Sequence, residues 1–265
     1  MTVRIATWNV NSVRQRIELL VAWLKESSPD IVCLQEIKCV DDAFPRLEVE
    51  ALGYNVETNG QKGFNGVAIF SRLPFDEVNR GLPGDDDDEQ ARFIEGVFST
   101  GNGVLRVVSL YLPNGNPAPG PKYDYKLDFM AKLHTHAQAL LAHEEPLVLA
   151  GDYNVIPKAE DVHDADAWAD DALFLPETRL AFQSIGNLGL TDAFRACHTT
   201  PHRYSFWDYQ GGAWQKDHGI RIDHLMLSAQ AADRLSACDI DKHVREWEKP
   251  SDHVPVWAEL DFGPA

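Results

Sequence analysis

Short apolar runs rich in β-branched residues recur along the whole chain, and most stop on a polar residue with chemistry to offer. Residues 3–10 run into Asn9-Val10-Asn11, residues 31–34 into Gln35-Glu36, and residues 146–150 into Gly151-Asp152-Tyr153-Asn154. Residues 104–111 end on Tyr111, residues 220–227 carry Asp223, and Asp252-His253 immediately precedes residues 254–259. Each run has the length and composition of a buried strand. A strand end is a rigid platform whose next residues project beyond the sheet, where ligands usually bind. Six such ends bearing Asn, Glu, Tyr, Asp and His read as one site assembled from the whole chain.

Further strands are expected at 66–71, 75–80 and 92–98, separated by Gly, Pro and Asn turn signals. Residues 14–26 are helical in period, with Ile17, Leu20, Val21 and Leu24 on one face, and Pro29 stops them. The longest helix is expected over 125–143, with Leu127, Met130, Leu133, Ala137, Leu140 and Leu141 as its apolar stripe. Two shorter helices are expected over 164–171 and 176–188. No linker or repeat divides the 265 residues, so one domain spanning 1–265 is expected.

No apolar run approaches the roughly 18 residues that cross a bilayer. Strand-like sequence begins at Met1-Thr2-Val3, so no signal peptide is expected. Cys33, Cys39, Cys197 and Cys238 lack metal or redox spacing; reduced thiols in a cytoplasmic protein are expected, without disulfide or zinc.

Charge alone argues mildly against nucleic acid: 24 basic against 41 acidic residues give a net −17. Much of the excess is peripheral, in Asp85-Asp86-Asp87-Asp88-Glu89, read as a solvated turn, and in the acidic stretch 160–171. A metal-dependent site also requires carboxylates of its own.

Asp152 and Asn154, two apart on an extended segment, point the same way. That suits a carboxylate accepting a proton from water beside an amide that fixes the water, or equally an Asx turn. Asp252-His253 offers a metal-facing carboxylate and an imidazole able to donate to a phosphoryl oxygen, with Asp223 placed to fix its tautomer. A capping Asp and His would read the same locally. Glu36 ends so apolar a strand that its carboxylate must be paired, hydrogen-bonded or metal-bound. With Asp252 it meets the demand of a hard cation such as Mg²⁺ for oxygen ligands.

Thr7-Trp8-Asn9-Val10-Asn11, Leu34-Gln35-Glu36-Ile37-Lys38, Gly151-Asp152-Tyr153-Asn154, Arg221-Ile222-Asp223-His224 and Ser251-Asp252-His253-Val254-Pro255-Val256 follow one another in order. Together they resemble the endonuclease/exonuclease/phosphatase superfamily, and its exonuclease III branch in particular, over about residues 3 to 260. Lys38 after Glu36, and Tyr204-Ser205-Phe206-Trp207-Asp208-Tyr209 followed by Gly219-Ile220-Arg221-Ile222-Asp223, resemble the DNA-repair branch. The resemblance implies an α/β, four-layer αββα sandwich of two mostly antiparallel sheets flanked by helices. It implies in-line attack of water on the phosphate 5′ to an abasic site, with 3′→5′ exonuclease and 3′-end-cleaning activities.

Carried over residue by residue, Asp152 orients and deprotonates the water, with Asn154 holding it or a phosphate oxygen. His253, oriented by Asp223, stabilises the phosphoryl charge, and Tyr111 binds the phosphate or assists the leaving group. Glu36, with Asn9 or Asp252, holds Mg²⁺ (Mn²⁺ serves the same ligands), and Asp152 and Asn154 stand as further candidate ligands. Asn11 replaces an acidic ligand of some relatives, so its contact is weaker or through water. Phe206, Trp207, Ile220 and Ile222, with Trp214 nearby, form a pocket for an abasic deoxyribose. Duplex DNA is the expected partner of a monomer, held by Lys38 and by basics among Arg14, Arg92, Lys122, Lys126, Lys158, Arg203 and Lys216. A superfamily phosphoesterase acting on RNA ends, or on a phosphorylated lipid or sugar, is the rival reading. The acidic segment 161–171 has no role derivable from sequence.

Overall fold

The computed structural model describes residues 1–84 and 88–263. In chain order, β1 (Thr2–Asn9), α1 (Val13–Ser27), β2 (Ile31–Gln35), α2 (Arg46–Glu50), β3 (Asn55–Asn59) and β4 (Val67–Ser71) form a first half. A second half follows with β5 (Glu77–Arg80), β6 (Phe93–Thr100), β7 (Gly103–Tyr111), α3 (Pro121–Leu141), β8 (Leu147–Asp152), α4 (Pro176–Gly186), β9 (Thr191–Asp192), α5 (Ala193–Cys197), α6 (Ala213–Lys216) and β10 (Asp223–Leu227). The chain closes with α7 (Ala229–Ala232), β11 (Leu235–Ile240) and β12 (Val256–Asp261). Two six-stranded sheets result, ordered β11-β12-β1-β2-β4-β3 and β5-β6-β7-β8-β10-β9.

Each sheet has one parallel pair near its centre, β1 with β2 and β7 with β8, and its other pairings are antiparallel. A parallel pair needs a crossover, and α1 and α3 supply it. The sheets meet face to face through apolar side chains such as Cys33, Val107, Ala150 and Leu225. Between them lies a small polar chain: Thr7 Oγ1 donates to Gln35 Oε1 (3.2 Å), Gln35 Nε2 to Ser109 Oγ (3.1 Å), and Ser109 Oγ to the Leu34 carbonyl (3.0 Å). Alternation along β7 turns Val108 and Leu110 outward, where Phe129, Met130 and Leu133 of α3 and Phe182 and Ile185 of α4 cover them. On the other flank Leu20, Trp23 and Leu24 of α1 are buried, with Trp23 edge-on to Trp8 at 5.5 Å. Helices outside two packed sheets are the αββα order that the family resemblance implies.

Three expectations are corrected. The strands β3 and β11 are not legible in the sequence, because both are edge strands whose alternate residues face water. Residues 164–171, read as a helix, form turns, with Asp164 Oδ1 accepting from the backbone of Asp166 and Ala167. Asp side chains compete for the backbone in this way and favour turns over helix interiors. The strand expected from residue 220 begins only at Asp223, and Ile220 instead bridges singly to Val162 and Phe206. Of the acidic run 85–89, Asp85, Asp86 and Asp87 lie outside the described residues, while Asp88 accepts from the Tyr125 hydroxyl.

Candidate active site

Register brings the strand ends together. Asp152 pairs directly with Tyr111 on one side and with Asp223 on the other. In the opposing sheet Asn9 pairs with Gln35, which sets it beside Glu36. Asn9 then joins the sheets: its Nδ2 donates to Asp152 Oδ2 (2.9 Å) and to Glu36 Oε1 (3.0 Å). Tyr111 donates its hydroxyl to the same Glu36 oxygen at 2.8 Å.

The backbone is unusual at these positions. Asn11, Glu36, Lys38 and Asn154 all have positive φ, between 43° and 54°. Asn tolerates this region; for Glu and Lys it costs of the order of 1–3 kcal/mol and persists where surrounding structure enforces it. Here the enforcement is visible, since the Glu36 carbonyl accepts from Ser12 N (2.8 Å) and Lys38 N donates to the Asn65 carbonyl (3.0 Å).

His253 is buried, and its Nδ1 meets Asp223 Oδ2 at 2.9 Å while Nε2 lies 3.7 Å from Asp152 Oδ2. Ser205 Oγ adds a 2.6 Å bond to that Asp223 oxygen, and the Phe206 ring stands edge-on to the imidazole at 4.9 Å. Burial disfavours the imidazolium, but Asp223 and then Asp152 outweigh it and hold His253 above its ordinary value. Burial pushes the Asp152 carboxyl up to about 7; Asp223 adds to the rise, and His253, Asn9 and the Asn154 amide oppose it. Burial also acts to raise Glu36, but Lys38, Asn9 and Tyr111 bring its carboxyl below the usual range. Two carboxylates, the buried Asp152 held up and the half-buried Glu36 held down, suit different tasks.

Glu36, Tyr111, Asp152, Asn154, Asp252 and His253 line one cavity of about 280 Å³, together with the apolar Phe206, Ile220 and Ile222. Asp223 stands behind His253, and Asn9 behind the two carboxylates. Lys38 Nζ bridges Glu36 Oε2 and Asn11 Oδ1 (2.7 Å each), and Asn11 Nδ2 donates to Asp252 Oδ1 at 3.1 Å. Asp152, Asp223 and His253 bring candidate ligand atoms within 4.8 Å of one another, but Asp223 engages the imidazole. Glu36, Asn9, Asn11 and Asp252, the residues expected to offer oxygen to a hard cation, stand together, with Asn9 Nδ2 toward Glu36 and Asn9 Oδ1 accepting from Asn11 N at 3.0 Å. The Lys38 ammonium gives the Glu36 carboxylate one positive partner at 2.7 Å.

Two pocket assignments are corrected. Trp207 is fully buried, with Nε1 donating to Asp217 Oδ1 at 2.9 Å, and cannot touch a ligand. Trp214 packs edge-on to Trp207 at 4.9 Å and lines a separate concavity with Lys242. Aromatic clustering drew both residues into the expected pocket, but alternation sends Phe206 to the cavity and Trp207 to the core. Lys126 is also corrected as a DNA contact: it is wholly buried, donating from Nζ to the carbonyls of Asn154 (2.6 Å) and Asn114 (3.0 Å). Arg92 stacks its guanidinium on Tyr111 at 4.8 Å and donates to the Tyr111 carbonyl at 3.1 Å. Arg14, Lys122, Lys158 and Lys216 are exposed, while Arg203 is ion-paired with Asp239.

Sequence reasoning missed Asn114, Asn116, Trp168, Asp171 and Leu173, all in the cavity wall. Asn114 and Asn116 follow β7 and obey the strand-end rule; Trp168 and Asp171 sit in an irregular segment without periodicity.

The profile of the endonuclease/exonuclease/phosphatase family matches residues 6–253. The exodeoxyribonuclease III of Haemophilus influenzae is 35% identical over 97% of this chain and 100% of its own. The chain belongs to this family, in its exonuclease III branch. An AP endonuclease structure from Archaeoglobus fulgidus superposes with a TM-score of 0.93 at 35% identity, covering 98% of this chain and 99% of that one. A Neisseria 3′ phosphatase bound to a product DNA hairpin superposes at 0.94 with 36% identity, covering 98% and 100%. Family membership makes the chain a hydrolytic nuclease of the DNA-repair type. No helix among the described residues is long and apolar enough to cross a membrane.

Proposed function

We propose that this protein hydrolyses the phosphodiester bond 5′ to abasic sites in duplex DNA, acting as a monomer with Mg²⁺, and that it trims and cleans 3′ ends. One observation carries this reading: the carboxylates and imidazole share a single cavity with Phe206, Ile220 and Ile222. An apolar wall beside a phosphate-handling set suits a sugar that has lost its base, because the extrusion cost is least where pairing is already gone. The kinship to an AP endonuclease and to a 3′ phosphatase supports the same pair of activities.

Asp152, with its raised affinity for a proton, takes the proton of the attacking water, and Asn154 fixes the water or a phosphate oxygen. His253 enters as the imidazolium favoured by Asp223 and meets the charge gathering on the phosphoryl oxygens. Tyr111 donates at the Glu36 carboxylate and orders that edge of the cavity. Glu36, with Asn9, Asp252 and more weakly Asn11, would hold the cation, which supplies Lewis-acid stabilisation of the leaving oxygen when bound. Exposed Arg14, Lys122, Lys158 and Lys216, with Lys38 at the site, supply the positive charge that duplex DNA needs despite the net −17.

The test uses end-labelled duplex bearing one abasic analogue, beside undamaged duplex and matched RNA, with Mg²⁺ or chelator. Metal-dependent incision 5′ to the lesion is expected, and Asp152→Asn should lose a factor of roughly 10² or more. Degradation of free ends or RNA with the lesion ignored would overturn the abasic assignment.

A further inference from the structure

A second cavity lies back to back with the catalytic one, and the reaction does not use it. Ile220 and Ile222 line the catalytic cavity, whereas Arg221 between them lines a separate cavity of about 490 Å³. The two have no lining residue in common among the described residues. Such a volume falls inside the roughly 300–1,000 Å³ usual for small-molecule sites. Pro157, Pro176, Leu180 and Phe182 give it apolar walls, and Leu180 at the rim is 63% exposed.

Four cations line this cavity beside one acidic residue, Asp192, and they are unequally matched. Buried Arg221 is fully engaged, with Nε 2.8 Å from Asp161 Oδ1 and Nη1 2.9 Å from Asp192 Oδ2. Arg195 shares Asp161 and lies 3.5 Å from Glu160. Lys158 reaches only Glu160, at 3.8 Å. Arg179 has no ion pair or side-chain hydrogen bond among the described residues. Its guanidinium rests over the Phe174 ring at 4.5 Å, and its Nε is buried without a partner. A guanidinium cannot shed its charge, and a buried donor without an acceptor is costly. The cavity therefore calls for an anion, and a fork of N–H donors suits phosphate oxygens best.

We propose that this cavity binds a nucleoside 5′-monophosphate, with the phosphate on Arg179 and the base against Leu180 and Phe182. Gln183 adds an amide at the cavity wall that can both donate to and accept from a base edge. The choice of ligand rests on the 3′-trimming reading above. Cleavage on the 5′ side of a terminal nucleotide leaves the phosphate on the released piece, so trimming itself generates this compound.

The test is calorimetric titration of the whole protein with deoxyadenosine monophosphate, with chelator present so that no metal draws the phosphate into the catalytic cavity. One site per chain is expected. Arg179→Gln should weaken binding by about tenfold or more, the loss expected when a charge-assisted hydrogen bond is removed. Leu180→Asp, at an exposed position, should weaken it too by setting a carboxylate against the phosphate. Both variants should incise the abasic duplex at the wild-type rate, since neither residue lines the catalytic cavity. Deoxyadenosine and inorganic phosphate should each bind much more weakly than the nucleotide. Unchanged affinity in both variants, no binding at millimolar nucleotide, or phosphate alone binding as well would overturn the proposal. Failure of the wild type to release mononucleotides from 3′ ends would instead overturn the trimming reading, which the titration does not touch.

Discussion

Asp223 Oδ2 meets His253 Nδ1 at 2.9 Å, and the opposite nitrogen of the same ring faces Asp152 Oδ2 at 3.7 Å. One imidazole therefore separates two carboxylates from neighbouring strands, and its protonation is what lets both approach. Asp223→Asn keeps the shape and removes the charge that most favours the imidazolium. The turnover number should fall about 10²-fold with little change in KM, because the lost charge acts on the transition state. The His253 ring resonances should titrate at lower pH in the variant; an unchanged titration would remove Asp223 from this role.

Glu36 sits where metal affinity should be decided. It accepts from Asn9 and Tyr111 and is ion-paired with Lys38 at 2.7 Å. Glu36→Gln preserves those acceptor contacts in part and removes the charge. The Mg²⁺ concentration for half-maximal incision should rise at least about tenfold, the lower end of what outer-sphere changes alone produce. A metal titration that overlays wild type would move the cation elsewhere.

Much of this site was legible because strand ends are punctuated by polar residues and period-two alternation decides which way each points. Asn9, Glu36, Tyr111, Asp152, Asp223 and His253 converge as the sequence implied. The failures have physical reasons. Trp207 and Phe206 are equally aromatic, and only the tertiary structure shows which faces the cavity. Lys126 lies on an amphipathic helix, where a lysine ordinarily faces water; two unsatisfied carbonyls from different loops draw it inward instead. Trp168 had no periodicity to place it, since the 164–171 turns follow Asp side-chain bonds rather than a repeating pattern.

The burial of Lys126 separates two kinds of basic residue. Lys126→Met leaves the carbonyls of Asn114 and Asn154 without a donor, which costs about 1–3 kcal/mol each. The midpoint of thermal unfolding should fall by several degrees, while the salt dependence of DNA binding stays as in wild type. Exposed Arg14 should behave in the opposite way. Arg14→Ala should leave the melting temperature alone and reduce the slope of log K against log salt by about one. Equal salt slopes for Arg14→Ala and wild type would exclude Arg14 from the DNA contact.

His224 gives the fold a built-in acid sensitivity away from the proposed reaction centre. Its Nδ1 lies 3.0 Å from Arg221 Nη1 and its Nε2 3.1 Å from the Val155 carbonyl, so the ring accepts at one nitrogen and donates at the other. Only the neutral imidazole satisfies both. Burial and then the Arg221 charge lower its pKa from 6.5 to about 4. The unfolded chain therefore binds a proton more readily than the folded one between those values, and stability falls as pH drops through that window. The shift corresponds to about 3 kcal/mol lost between pH 6.5 and 4. Denaturant titrations at pH 7 and pH 5 should show about 2 kcal/mol of this loss in wild type. In His224→Phe the ring packing against Tyr153 and Phe182 is retained, stability at pH 7 is lower, and the slope over the same interval flattens. A variant that keeps the wild-type slope would assign the acid sensitivity to another group.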